Sequence, residues 1–332
     1  MTVKVGILGA GFIGRLHALN LKADARVSLV GIADAVPAAA ARLAAEAQTA
    51  PLPDLAALLD AGADAVYVTT PNTHHVEPVL GALAHGAHVF SEKPMATSLD
   101  GAARIRRAAE RSRGVYQVGF NRRFANVYAF ARRLIDEGRL RPLAAQLKHN
   151  RGELRQPPWT SDPTVTGGYL YETPVHLFDM ARFLFGDVAE VQGWARQSLY
   201  AEPDAFTLLL RCHSGLITSV TSVAHASWLF PSERIEIYGD HASVMTEELE
   251  RAAFSAGARA QVEAIDCGAM PFEQKWGYVI EDRLFVDAVL GERPPAVTAA
   301  DGYRATELVE ASYRAVREGR SIALPLPEPA GP

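Results

Sequence analysis

VKVGILGAGFIGRLHALNLKADARVSLVGIAD, from Val3 to Asp34, runs apolar strand, glycine turn, helix, second strand and acid within one βαβ length. Gly9, Gly11 and Gly14 form G-x-G-x-x-G between the strand and a helix opened by Phe12 and Ile13. In that setting the first glycine permits the tight turn, the second lets backbone approach a pyrophosphate, and the third lets helix pack close to strand. The helix N-terminus offers N–H groups to phosphates. Asp34 stands at the spacing of the acid that binds an adenosine ribose. Its carboxylate accepts from a 2′-hydroxyl and repels a 2′-phosphate, and Ala33 and Ala35 supply no compensating cation, so NAD is expected rather than NADP. The glycines alone also suit a nucleotide-free α/β core; the strand, helix and acid around them favour the dinucleotide.

Outward from this stretch, 332 residues suggest two domains, each large enough for its own core. The content is 48% hydrophobic and 21% charged, that of an ordinary globular chain. A net charge of -5 with no Lys/Arg run gives no field for nucleic acid, which is not expected as a partner. Cys212 and Cys267 stand outside any C-x-x-C pattern and read as buried free thiols, so neither a disulfide nor a metal site is expected. The apolar start lacks a cationic n-region and a cleavage site, and no segment reaches a membrane-spanning length. The cytoplasm is the expected compartment.

Helical and strand patterns alternate as far as the strand Val115 to Val118, which implies a parallel sheet with helices on both faces, closing near residue 120. The pattern then changes. Leu143 to Arg151, Val188 to Gln197, Phe206 to Arg211, Leu216 to Val223, Arg234 to Tyr238 and Ala242 to Thr246 read as consecutive strands of a mostly antiparallel sheet, helix-covered on one face. Two helices follow, Phe272 to Leu290 and Asp301 to Glu318, with Asp301 as N-cap of the second. The fold expected is α/β: an N-terminal Rossmann parallel sheet over 1–121, then an α+β domain with a large open sheet over 122–332.

Thr70, Pro71 and Asn72, and then Glu92, Lys93 and Pro94, follow strands at the carboxyl edge, where ligands bind in open α/β sheets. Lys93 reads equally as a surface charge, but the proline after it restricts its backbone and aims its side chain. In Gly167 to Asp179, Thr173 has the character of an N-cap and Pro174 of a first helical residue. His176 then lies in a first turn, where the helix dipole disfavours its charged form, and Asp179 shares its face and can orient its ring. Surrounded by Phe178, Phe183, Leu184 and Phe185, His176 on these residues alone reads more readily as a core histidine.

Gly9 to Gly14, Thr70-Pro71-Asn72 with His75, His88 to Pro94, Gly119 to Phe124, Gly167-Gly168, His176 and Asp179 together resemble the glucose-fructose oxidoreductase / inositol dehydrogenase / MocA family over nearly the whole chain. The Glu92-Lys93-Pro94 element is the most specific part. The resemblance implies a Rossmann domain holding NAD through Gly9, Gly11, Phe12, Ile13, Gly14, Asp34, Thr70, Pro71, Asn72, His75, Glu92 and Lys93. It implies an open-sheet domain whose histidine, with Lys93, flanks the nicotinamide and a substrate carbinol. Lys93, His176 and Glu172 are the catalytic candidates, and Arg122, Arg123, Arg151, Trp159 and Asp179 are substrate candidates.

Glu172 departs from the family, in which aspartate is common four residues before the histidine; the longer side chain changes the reach of the carboxylate. Pro174 replaces a common glycine. The implied activity is NAD-dependent oxidation or reduction at a secondary alcohol or ketone of a sugar, cyclitol or related polyol. Transient oxidation during glycoside cleavage and a non-catalytic sensing role are the alternatives within the same resemblance. Homodimers or homotetramers formed through the open sheet are also implied.

Overall fold

A computed structural model describes residues 2–152, 158–227, 232–257 and 261–329. It divides into two compact units, one of Met1–Phe120, Tyr278–Tyr303 and Glu328–Pro332, the other of Asn121–Gly277 and Arg304–Pro327. A single cut near residue 121 therefore describes only the start of the second unit. The helix Tyr278–Val289 returns to the first unit because Phe285 and Val286 complete that unit's core beside Ile7, Ile32, Tyr67 and Phe90.

The first unit is built on a six-stranded sheet of β1 (Val3–Leu8), β2 (Val27–Ala33), β3 (Pro51–Leu52), β4 (Ala65–Val68), β5 (His88–Glu92) and β6 (Tyr116–Gly119). Its order is β3-β2-β1-β4-β5-β6 with every pairing parallel, and the order reverses at β1. Ligands bind at such a reversal, beyond the carboxyl ends of the strands. The central strand β4 is buried at every position, as a sheet covered on both faces requires. Asp54 and Ser98 cap the helices Leu55–Asp60 and Leu99–Arg111 by accepting N–H bonds from Ala57 and Gly101.

The second unit carries β7 (Pro142–His149), β8 (Val188–Arg196), β9 (Ala205–Cys212), β10 (Ile217–Val223), β11 (Glu233–Gly239), β12 (Ala242–Glu247), β13 (Arg251–Ala256), β14 (Glu263–Asp266) and β15 (Ile322–Ala323). They form one nine-stranded sheet, β14-β13-β12-β11-β7-β10-β9-β8-β15, in which the β7–β10 pair is parallel and its other pairs are antiparallel. Burial alternates along β9 and β12, so one face is covered and the other open. Leu143, Leu209, Ile217 and Met245 lie exposed.

Three expectations are corrected. The segment 272–290 is two helices, Phe272–Lys275 and Tyr278–Val289, because Gly277 breaks it with φ +89°. A Cβ there would stand 2.5 Å from the Asn121 carbonyl oxygen, which only glycine avoids. The long C-terminal helix spans Ala299–Glu318 and starts from Thr298, with Asp301 inside its first turn. Thr298 and Asp301 form a reciprocal box: Asp301 N–H donates to the Thr298 hydroxyl at 3.2 Å, and Thr298 N–H to the Asp301 carboxylate at 2.9 Å. Thr173 is the C-cap of Tyr169–Glu172 rather than an N-cap; Pro174 is the N-cap of Val175–Phe185 without a side-chain bond. Both cysteines are free and buried, as expected. Among the described residues, no helix is long and apolar enough to cross a membrane.

Candidate active site

In the first unit the glycine turn has the geometry its sequence demands. Gly9 has φ +111°, and a Cβ on it would lie 2.5 Å from the Thr69 carbonyl oxygen. A Cβ on Gly14 would lie 2.0 Å from the Gly9 carbonyl oxygen, so helix and strand can approach only here without a side chain. Gly11 differs: a Cβ would meet nothing within 4 Å. That open space adjoins the N-terminus of the helix Phe12–Lys22, whose ring at Phe12 is 68% exposed. Asp34, at the end of β2, accepts the Ala10 N–H on Oδ2 at 2.7 Å and the Val36 N–H on Oδ1 at 2.7 Å. Each carboxylate oxygen retains a further lone pair for a ribose hydroxyl. The residues present fit a dinucleotide: clearance at Gly11, helix N–H groups for the phosphates and an oriented acid for the ribose.

His75 is the N-cap of the helix Val76–His85, just past the turn after β4. It is fully buried, with Nδ1 2.7 Å from the Pro94 carbonyl and Nε2 2.8 Å from the Thr70 carbonyl. The ring joins the turns after β4 and β5 from beneath. Burial pushes its pKa below the ordinary imidazole value, so near neutral pH it is uncharged and donates to one carbonyl at a time. Asn72 is buried beside it in sequence, and Thr70 Oγ1 donates to the His74 carbonyl at 3.1 Å.

Lys93 is half-buried at the end of β5, and its peptide bond to Pro94 is cis. Glu92 is buried, and its Oε2 accepts the Lys93 N–H at 3.0 Å. The other oxygen, Oε1, lies 3.2 Å from His17 Nε2, and His17 Nδ1 lies 2.6 Å from Asp282 Oδ1. Sequence reading missed His17 and Asp282. Their signal was a histidine on the buried side of the first helix, but its partner stands 265 positions away.

In the second unit Gly167 and Gly168 both have positive φ, +80° and +116°. A Cβ on Gly168 would come within 2.6 Å of the Tyr313 hydroxyl, which accepts the Leu170 N–H at 2.9 Å. The chain thus turns tightly into Tyr169–Glu172 and then Val175–Phe185, and Glu172 and His176 are both buried, with 8% and 6% of their surface exposed. His176 lies in the first turn of its helix, as the sequence implies. Asp179 is fully buried, but its carboxylate is engaged by Arg123: Nε donates to Oδ2 at 2.8 Å and Nη2 to Oδ1 at 2.6 Å.

Arg122 is engaged likewise. Its Nε and Nη2 donate to Glu233, at 3.0 Å to Oε1 and 2.9 Å to Oε2, and the Tyr128 hydroxyl donates to the same carboxylate at 2.6 Å. His149 Nε2 lies 3.6 Å from Glu233 Oε2. Burial alone would raise the Glu233 pKa, but the charges of Arg122 and His149 and the bonds from Arg122 and Tyr128 hold it down at about 2. Sequence reading missed Glu233, an acid at the first position of β11 with nothing local to mark it. Arg151 and Trp159 are half-buried; of the loop before Trp159, residues 153–157 lie outside the described residues.

A parallel sheet with this turn at its reversal and this acid after β2 defines a dinucleotide-binding Rossmann domain. The chain belongs to the glucose-fructose oxidoreductase / inositol dehydrogenase / MocA family: residues 3–120 match its NAD-binding Rossmann fold, and 132–324 its C-terminal alpha/beta domain. It is 28% identical to the inositol 2-dehydrogenase of Rhizobium meliloti, over 98% of this chain and 100% of that one. A solved structure of a putative myo-inositol dehydrogenase from Sinorhizobium meliloti superposes with a TM-score of 0.84 at 26% identity, covering 97% of this chain and 99% of that one. Levoglucosan dehydrogenase in complex with NADH and levoglucosan shares the fold, with a TM-score of 0.91 at 21% identity over 98% of this chain and 100% of that one.

Proposed function

We propose that the protein is an NAD-dependent dehydrogenase or reductase acting on a secondary alcohol or ketone in a sugar, cyclitol or related polyol ring. The observation that carries this reading is Lys93, half-buried at the carboxyl end of β5 and anchored through Glu92, in the same unit as the glycine turn and Asp34. The full-length likeness to inositol 2-dehydrogenase supports the substrate class.

NAD, when bound, accepts the carbinol hydride or returns it to the ketone. Asp34 holds the adenosine ribose, and the backbone from Gly9 to Gly14 holds the pyrophosphate. Lys93 donates a hydrogen bond to the reacting oxygen and favours its anionic form. His176 takes the hydroxyl proton during oxidation and gives it back during reduction. Glu172 orients the substrate. Arg122, Arg123 and Asp179, held in buried ion pairs, shape the second unit, while Arg151 and Trp159 contact substrate hydroxyls and ring faces. The open face of the nine-stranded sheet pairs subunits into a dimer or tetramer.

Steady-state absorbance of NADH, with myo-inositol, chiro-inositol, levoglucosan and common aldohexoses offered singly, tests this reading. NADH formation with at least one of them is expected. Saturated NAD with no reduction of cofactor by any polyol, and no oxidation of NADH by the matching ketones, would refute it.

A further inference from the structure

His17 lies wholly inside the first unit with a carboxylate at each ring nitrogen. Carboxylates only accept, so both contacts are hydrogen bonds only when both nitrogens carry protons. The neutral ring would set a lone pair against one of the acids. Asp282 is fixed in turn by Asn20, whose Nδ2 donates to Oδ2 at 2.9 Å. The rings of Tyr67, Phe90 and Tyr278 pack around the imidazole at centroid distances of 5.3, 5.0 and 5.8 Å, shutting out water. Glu281, also fully buried, brings a third carboxylate: one of its oxygens, one of Glu92 and one ring nitrogen of His17 lie within 4.8 Å of one another. Three buried acids around one imidazole leave the ring as the central positive charge of the group. Burial opposes that charge, but the Asp282 charge and hydrogen bond, then those of Glu92, outweigh it and hold the His17 pKa at about 10.

We propose that His17 is a positioning residue for Lys93: its imidazolium bridges Asp282 and Glu92 and so fixes the carboxylate that accepts the Lys93 N–H. The chain of contacts is continuous, from Asn20 through Asp282, His17 and Glu92 to the Lys93 backbone. Without the bridge, Glu92 faces Glu281 and Asp282 with no cation between them. Its Oε1 then loses the ring that holds it, the carboxylate turns away, and the Lys93 turn loses its anchor. The kinetic consequence rests on the proposed dehydrogenase activity; the contacts themselves do not.

The test therefore has one arm without substrate. In histidine-labelled protein at about pH 8, above the ordinary imidazole value of about 6.5, nitrogen-15 NMR should show the His17 ring protonated on both nitrogens. In Glu92→Gln the same ring should lose a proton at lower pH than in wild type. Competitive acetylation of the Lys93 amine should speed up several-fold in His17→Gln and in Glu92→Gln. With myo-inositol or whichever polyol is turned over, His17→Gln should lower kcat by up to about 100-fold, the cost of a displaced catalytic group, while calorimetric NAD affinity stays within a few-fold. Should His17→Gln fail to fold, the Glu92→Gln arm still decides. A wild-type ring with one bare nitrogen, or Lys93 acetylation unchanged in folded variants, overturns the proposal. So does loss of the ring N–H signals on adding zinc, which would assign the cluster to a metal. If no polyol is oxidised, the dehydrogenase reading fails while the NMR and labelling arms still decide on His17.

Discussion

The first unit buries its positive charge on an imidazole between acids, and the second buries it on two guanidiniums, each in a two-pronged grip on a carboxylate. A guanidinium keeps its charge at every accessible pH, whereas an imidazolium can be discharged. The Arg123–Asp179 and Arg122–Glu233 pairs are therefore permanent struts, breakable only from the acid side. The His17 cluster is a strut that alkali can remove. The difference also separates roles, since the titratable cluster stands behind Lys93 and the permanent pairs brace the unit that contains His176.

The largest effects are expected at the two groups assigned to the reacting oxygen. Lys93→Met should abolish turnover while NAD binding, followed by calorimetry, stays within a few-fold; a folded variant that binds no NAD would assign Lys93 to the cofactor instead. His176→Asn should lower kcat by about 10²- to 10⁴-fold, the range for losing a general acid or base. Near-wild-type turnover would make it a core histidine and move the proton acceptor to Glu172 or Lys93.

Removing a permanent strut is the next largest change. Arg123→Met leaves the buried Asp179 carboxylate without its guanidinium and should cost about 3–5 kcal/mol in denaturant unfolding. Adding Asp179→Leu should recover most of that loss. If the single variant is as stable as wild type, the pair is not a strut.

The pH limits should differ as the two chemistries do. The folded His17 pKa is raised to about 10, so its contribution to stability is complete below about pH 6.5 and fades as pH climbs toward the folded value. Glu233 is depressed to about 2, so its contribution is complete above the ordinary carboxylate range and is lost as pH falls from that range through the folded value. Thermal melts of His17→Gln should accordingly lose the alkaline slope of wild type but keep the acid one. The reverse pattern would exchange the two assignments.

Cofactor choice should show the smallest of these changes. The kcat/KM ratio of NAD to NADP should drop by about 10- to 100-fold in Asp34→Ala, the range that about 1.5–3 kcal/mol for a charged hydrogen bond allows. Wild type that prefers NADP would contradict the role given to Asp34.

What the sequence made legible follows the range of each interaction. The turn from Gly9 to Gly14 is local, and its tight backbone at Gly9 and close approach at Gly14 are those its sequence demands; Asp34 follows β2 and accepts the Ala10 and Val36 N–H groups. The antiparallel strands from β8 to β12 were marked by their alternation, whereas β13 was hidden because Arg251–Ala256 is mostly small residues. The break at Gly277 was hidden too, since its cause is the backbone of Asn121, far off in sequence. Lys93 and His176 carried motif signals, but their neighbours' partners did not. Arg123 meets Asp179 56 positions on and Arg122 meets Glu233 111 positions on, and no periodicity encodes such pairings. His75 had a legible position and an illegible task, because both of its partners are main-chain carbonyls.

The central claim is hydride transfer from a polyol carbinol to bound NAD, and isotope transfer tests it most directly. Wild-type protein is given NAD and an accepted polyol deuterated at the reacting carbinol, and the nicotinamide is analysed by mass spectrometry. One deuterium is expected in the reduced nicotinamide for each alcohol oxidised, with none in the Lys93→Met control. Reduced nicotinamide without deuterium, or substrate cleaved with its label retained and no net reduced cofactor, would contradict it.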